Sequence, residues 1–163
     1  LAWAFPRFAS ALGALARSYE VIGHGHPRVI DHLRPEYDLL GIKTAPSFEE
    51  VVTKADLFVA DNTSALYEFA AMGRPVLCLE AEAWRKDAHH GLRFWDAIPG
   101  LSCSNPDDLV SMVTQALNDP LEAKELRRYA LEVAYGPYLF GSATERAVEA
   151  IEKVVQGDLV GSG

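Results

Sequence analysis

Short apolar runs alternate with amphipathic stretches along this chain, and polar turns punctuate them. Residues 7–17 set Phe8, Leu12 and Leu15 on one stripe, which predicts a helix. Residues 19–23 predict a strand that ends in the turn Gly23-His24-Gly25-His26-Pro27. Residues 28–40 predict a helix interrupted near Pro35, and residues 41–44 a short strand. Ser47 followed by Glu50 is a capping box, so a helix is expected over 48–54. Residues 57–60 predict a strand, 64–72 a helix that stops at Gly73, and 75–79 a second buried strand. A polar, aromatic loop covers 84–95, Pro99-Gly100 forms a turn, and 101–104 is the last strand. Asn105-Pro106-Asp107-Asp108 opens a helix with a cap, a proline at its first position and acids in its first turn. That helix should end near 118–120, with two more over 121–134 and 142–155 and a flexible tail at 157–163. Short strands alternating with helices predict an α/β fold, a parallel sheet with helices on both faces. No internal boundary appears, so a single domain is expected over 1–156.

Composition narrows the function classes. The 163 residues suffice for one α/β domain, and 49% hydrophobic with 23% charged is ordinary for a globular protein. The formal net charge of −8 argues against general nucleic-acid binding, because phosphate backbones attract basic surfaces. A mononucleotide site is compatible with that charge, since a few local donors can outweigh the global sign. Cys78 and Cys103 fall in predicted strands without metal-type spacing and read as buried, reduced thiols of a cytoplasmic protein. No apolar run reaches membrane-spanning length. The chain begins at Leu1, so an excised piece of a longer protein is expected.

Three polar clusters follow three predicted strands: His24 and His26, residues 61–64, and residues 80–85. Strand ends in a parallel sheet share one rim, so these clusters should converge on one cleft. Asn62, Thr63 and Ser64 stand where a helix begins, a position that favours a phosphate. Capping accounts for one hydroxyl or the Asp61 carboxylate, but not for four polar residues in a row. Glu68 lies one helical turn beyond Ser64 and could accept hydrogen bonds from both hydroxyls of a ribose or a glycerol. The alternative for Glu68 is a solvated surface acid. His26 could donate to a phosphate or act in acid–base catalysis, and His24 could join it at the phosphate. The alternative for both is an imidazole that hydrogen-bonds its own loop. Arg85, Lys86 and His90 lie in the one basic concentration of the sequence. They could meet a diphosphate or an anionic acceptor, or simply be solvated. Arg74 reads as a surface residue or a partner for a helix C-terminus. No metal and no cofactor is expected, because no carboxylate stands at a ligand spacing to the histidines.

The segment Asp61-Asn62-Thr63-Ser64-Ala65-Leu66-Tyr67-Glu68, continuing through Gly73-Arg74-Pro75, resembles the nucleotide-binding segment in the C-terminal half of GT-B transferases. It is most similar to the CDP-glycerol glycerophosphotransferase family of teichoic-acid synthesis, where Asp-Tyr-Ser-Ser opens the equivalent helix. Gly25-His26-Pro27 resembles that family's His-Pro turn. Gly91, Phe94 and Pro99-Gly100 resemble its Arg-Gly, Phe, Pro-Gly run, over a match of roughly residues 20–117. Asn62 and Thr63 replace its Tyr and Ser, Glu68 its usual Asp, and His90 the Arg before the glycine. The resemblance implies a Rossmann-like donor-binding domain, the C-terminal half of a GT-B enzyme, that takes a CDP-glycerol-like or UDP-sugar-like donor. It implies transferase chemistry in cell-envelope polymer or glycoconjugate synthesis, and a parent protein with a further N-terminal domain and peripheral membrane association. The isolated half is expected to bind nucleotide and turn over nothing. Two other readings stay open: a domain like UDP-N-acetylglucosamine 2-epimerase, and a non-catalytic module that binds a nucleotide or a protein.

Overall fold

The structure is a computed structural model that describes residues 4–81, 94–139 and 141–155. The chain order is α1 (Phe5–Leu15), β1 (Ile22–Gly23), α2 (Ile30–Leu39), β2 (Lys43–Thr44), α3 (Phe48–Lys54), β3 (Phe58–Ala60), α4 (Ala65–Ala71) and β4 (Val76–Leu79). It continues with β5 (Leu101–Cys103), α5 (Leu109–Leu117), α6 (Leu121–Tyr135) and α7 (Ala143–Val155). Every strand pair among the described residues is parallel. β1 pairs with β2, and a second ladder runs β3-β4-β5, with Phe58 opposite Val76 and Leu77 opposite Leu101.

Strand periodicity explains the two-sided core. All four residues of β4 are buried. Leu77 and Leu79 point to one face, where Phe8 and Leu15 of α1 and Leu109 and Val113 of α5 cover them. Val76 and Cys78 point to the other face and pack with Leu66 and Phe69 of α4 and Leu131 of α6. A parallel sheet needs both faces covered, and these helix pairs supply the two layers. Cys78 and Cys103 are buried, and neither forms a disulfide among the described residues.

Two expectations are corrected. The first strand was expected over 19–23, but only Ile22 and Gly23 enter a ladder. Tyr19 and Val21 instead pack against the core that Leu77 and Phe8 share, so burial rather than pairing produced their apolar pattern. Proline was expected to interrupt α2, yet the helix passes through Pro35. Its ring removes one hydrogen bond, to the carbonyl of Asp31, and both residues are exposed, so water can serve that carbonyl.

α6 is held at its start by a partly buried ion pair. Arg127 donates to both carboxylate oxygens of Asp119 at 2.9 Å each. Asp119 occupies the left-handed region at φ 44°. The Arg127 hydrogen bonds hold the Asp119 carboxyl below its ordinary pKa, against the opposing effect of burial. A carboxyl that titrates lower folded than unfolded stabilises the fold above its unfolded pKa, about 3.9. That contribution disappears as pH falls through the folded value. Asp119→Asn removes the titrating group while keeping a residue type that tolerates positive φ. Its unfolding free energy should therefore fall less steeply than the wild type's on acidification below about pH 4. Parallel acid limbs for the two proteins would refute this role.

The tail 157–163 and the loop residues Arg85, Lys86 and His90 lie outside the described residues.

Candidate functional site

Two polar turns leave the C-terminal ends of β1 and β3, and one tyrosine links them. The Tyr37 hydroxyl donates to the His24 carbonyl at 3.1 Å. Burial raises the Tyr37 pKa, and the nearby Asp61 carboxylate raises it further. Asp61 follows β3 directly, so the end of β1 and the end of β3 meet around the Tyr37 ring. The ring needs the space that Gly23 leaves: a Cβ there would stand 2.7 Å from its Cδ2 atom. Phe5 closes the other side in an edge-on contact at 5.3 Å.

This geometry separates structural from available groups. Asp61 accepts the backbone N–H of Ala4 at 3.1 Å and thereby holds the start of α1. Thr63 Oγ1 accepts the backbone N–H of Ala65 at 3.3 Å and serves the first turn of α4. Ser64 makes no side-chain capping bond and is exposed. Asn62 is likewise exposed. Glu68 is exposed on α4, and Tyr135 ends α6. Burial raises the Tyr135 pKa, and the Glu68 carboxylate adds to that rise.

The two histidines of the first turn differ. His24 lies 5.8 Å from the Phe48 ring, and its Nδ1 is buried without a hydrogen-bond partner among the described residues. Phe48 continues through Phe58 to Phe69 in a chain of ring contacts. His26 is exposed, and its Nδ1 accepts the Arg28 backbone N–H at 3.1 Å.

Several side chains that position the site were not evident from sequence. Tyr37 acts on residues 13 positions and more away, and no local pattern marks it. Tyr67 donates to the Ala97 carbonyl at 2.8 Å and touches Phe94 edge-on, so α4 is fastened to the segment that precedes β5. Arg74 is a helix C-terminus partner, but the helix is α3: it donates to the Ala55 carbonyl at 2.8 Å. Its guanidinium also lies 4.3 Å from the centre of the Phe69 ring.

Chemically, the turn after β1 offers an exposed imidazole, the turn after β3 an exposed hydroxyl and an exposed amide, and α4 one exposed carboxylate. Hydroxyl, amide and imidazole N–H groups suit an anion, and a carboxylate suits a pair of hydroxyls. Among the described residues, no cluster of three His, Cys, Asp or Glu could hold a metal ion. No helix among them is long and apolar enough to cross a membrane.

Residues 7–153 match the family model described as CDP-Glycerol:Poly(glycerophosphate) glycerophosphotransferase. No curated protein matches the chain. Among solved structures it is similar to AviGT4, a glycosyltransferase involved in avilamycin A biosynthesis, at 16% identity and a TM-score of 0.50. That match covers 96% of this chain and 49% of AviGT4, and at this identity the likeness is one of fold. A second structure, TarM, aligns at 13% identity and a TM-score of 0.49, over 94% of this chain and 32% of TarM. The chain therefore spans about half the length of AviGT4 and about a third of TarM.

Proposed function

Because this chain belongs to the CDP-glycerol:poly(glycerophosphate) glycerophosphotransferase family, we propose that it is the donor-binding domain of a glycosyl- or glycerophosphotransferase. The donor is activated as a nucleotide diphosphate, CDP-glycerol-like or UDP-sugar-like, and the product is a cell-envelope polymer or glycoconjugate made on the cytoplasmic side. The observation that carries this reading is the division of labour after β3. Asp61 and Thr63 serve the fold, while Asn62, Ser64 and Glu68 stay exposed beside them.

In this reading Ser64, with Asn62 and Thr63 around the same turn, hydrogen-bonds the donor's phosphates. Those bonds stabilise charge as it develops on the leaving nucleotide. Glu68 accepts the hydroxyls of the ribose or glycerol. His24 and His26 face the phosphates from the turn after β1, and Arg85, Lys86 and His90 would meet the diphosphate or the acceptor. A further N-terminal domain of the parent protein supplies the acceptor side and excludes water. The chain alone is then a binder without turnover.

Glu68→Gln tests the assignment most directly. It preserves size and helix propensity but weakens acceptance from a diol. Calorimetry with a ribonucleotide and its 2′-deoxy analogue should show the wild type's preference for the ribonucleotide shrink in the variant. An unchanged affinity ratio would make Glu68 a surface acid. Absence of nucleotide binding by the wild type would favour a protein-binding module.

Ser64 and Thr63 should separate binding from stability. Ser64→Ala removes a hydroxyl that caps nothing, so its melting temperature should stay at the wild-type value. Its affinity for a nucleoside diphosphate should fall by about 1–3 kcal/mol. Thr63→Val keeps the shape and removes the acceptor for Ala65, so it should cost about 1 kcal/mol of stability. Equal stability losses in both variants would show that Ser64 shares the capping role.

A further inference from the structure

β5 ends the ladder β3-β4-β5, and no strand lies on its outer side among the described residues. Parallel pairing fixes which backbone groups face that outer edge. Leu101 and Cys103 stand in register with Leu77 and Leu79, and the Cys103 carbonyl accepts the Glu80 N–H at 2.9 Å. In a parallel ladder one residue turns both its N–H and its C=O to the same neighbour, and the next residue turns both away. The N–H and C=O of Ser102 therefore point outward, and neither has a hydrogen-bond partner among the described residues. The Ser102 hydroxyl is already engaged, donating to Glu80 at 3.2 Å. A cavity of about 330 Å³ lies along this edge. Met112 and Gln115 of α5 wall it on one face of the sheet, and Leu126 and Tyr129 of α6 on the other. Trp95 and Ile98, from the segment that precedes β5, complete it. It thus occupies the place of a further strand, between the same two helical layers that cover β4. The turns after β1 and β3 contribute no residue to its described lining.

We infer that this edge is a docking groove for an extended, basic segment of a partner protein, which adds to the sheet as a strand beside β5. The backbone of the segment pairs with the outward N–H and C=O of Ser102, which otherwise lack a partner beside apolar walls. Side chains of a strand alternate between faces, so the two walls read alternate residues. Those on the α5 face meet Met112 and are apolar. Those on the α6 face lie along Leu126 and Tyr129, which are 37% and 48% exposed, and reach Glu122 at the start of that helix. A lysine or arginine suits this wall, because its stem covers the apolar surface, its charge can lie over the Tyr129 ring and its head meets the carboxylate. Charge selects the partner: the charged residues of the described lining are Asp96 and Glu122, both acidic. An acidic segment or a phosphate backbone is repelled there. A second copy of this chain is disfavoured for the same reason, since its net charge is −8 and two such grooves brought together set Glu122 against Glu122.

The test uses the 163-residue chain and two synthetic peptides, acetyl-Val-Lys-Val-Lys-Val-amide and its counterpart with glutamate in place of lysine. Amide exchange by NMR is read first, on the chain alone. The Ser102 N–H should exchange at least about tenfold faster than those of Leu101 and Cys103, which are held by β4. Equal protection of all three would mean that the edge is already paired, and the inference falls. Adding the lysine peptide up to about 1 mM should slow exchange at Ser102 and shift the amide resonances of β5 and of Leu126 and Tyr129. No shift at those residues overturns the inference, and so does equal binding of the glutamate peptide, because charge would then select nothing. A lysine peptide with every backbone nitrogen methylated should lose binding. If it binds as well as the parent peptide, no strand is added and the inference falls. Glu122→Lys alters an exposed residue, so its melting temperature should stay near the wild-type value. It should bind the lysine peptide about tenfold more weakly and the glutamate peptide more tightly than the wild type does. Unchanged affinity for both peptides would remove Glu122 from the groove and with it the basic partner.

Discussion

Phe69→Ala should cost about 3–5 kcal/mol of stability and lower the melting temperature by on the order of 10 °C. Phe69 is fully buried at the centre of the layer between the sheet, α4 and α6. Its ring stacks on Phe58 of β3 at 5.4 Å, and Arg74 covers it with its guanidinium. Truncation therefore removes one large apolar side chain and two specific ring contacts together. The hole cannot easily collapse, because β-sheet residues Val76 and Cys78 bound it on one side and Leu131 of α6 on the other. Close-packed walls of this kind leave most of the cavity open. α4 also carries Glu68 and begins at the Ser64 turn, so nucleotide binding should weaken along with stability. Chemical denaturation with nucleotide titration on the same sample checks both. A stability loss below about 1 kcal/mol would mean that the layer repacks, contrary to the wall argument.

Gly100→Ala should be comparably damaging, at about 3 kcal/mol, although it adds only one methyl group. A Cβ on Gly100 would lie 2.4 Å from the Val76 carbonyl oxygen and 2.7 Å from Val76 Cγ2. The carbonyl belongs to the backbone of a fully buried central strand and has no room to retreat. β5 would have to lift away from β4, where the ladder begins at the next residue, Leu77 opposite Leu101. The expected result is a lower denaturation midpoint and faster amide exchange along β5. Gly41→Ala provides the contrast. Gly41 has φ 73° but nothing within 4 Å of an added Cβ, so it pays only backbone strain, about 1–2 kcal/mol. Equal losses in the two variants would place the cost in glycine's flexibility rather than in the contact with Val76.

The sequence by itself determined those parts of the molecule whose causes lie within a few residues. Ser47 accepts the Glu50 N–H at 3.3 Å, as its spacing from Glu50 indicated, and Asn105 accepts the Asp107 N–H at 3.3 Å at the head of the turn before α5. Gly73 ends α4 with φ 77°. The alternation of strand and helix was legible for the same reason: the period of the apolar positions reports which faces will be buried. The polar turn after β3 was legible as a candidate site because a helix start and four polar side chains lie side by side in the chain.

Only the tertiary structure decided which of those four are spent. Asp61 holds the start of α1, 57 positions away, and Thr63 caps α4, which leaves Ser64 and Asn62 exposed. It decided that Tyr37, which no motif marks, joins the ends of β1 and β3. It also decided that Arg74 serves the C-terminus of α3 rather than that of its own helix. Pairing of this kind depends on distances through space between segments that folding brings together. Periodicity and capping are local, so they predict elements and their faces. A hydrogen bond between distant residues is selected by the packed arrangement as a whole, where each buried polar group must find whichever partner the neighbouring element presents.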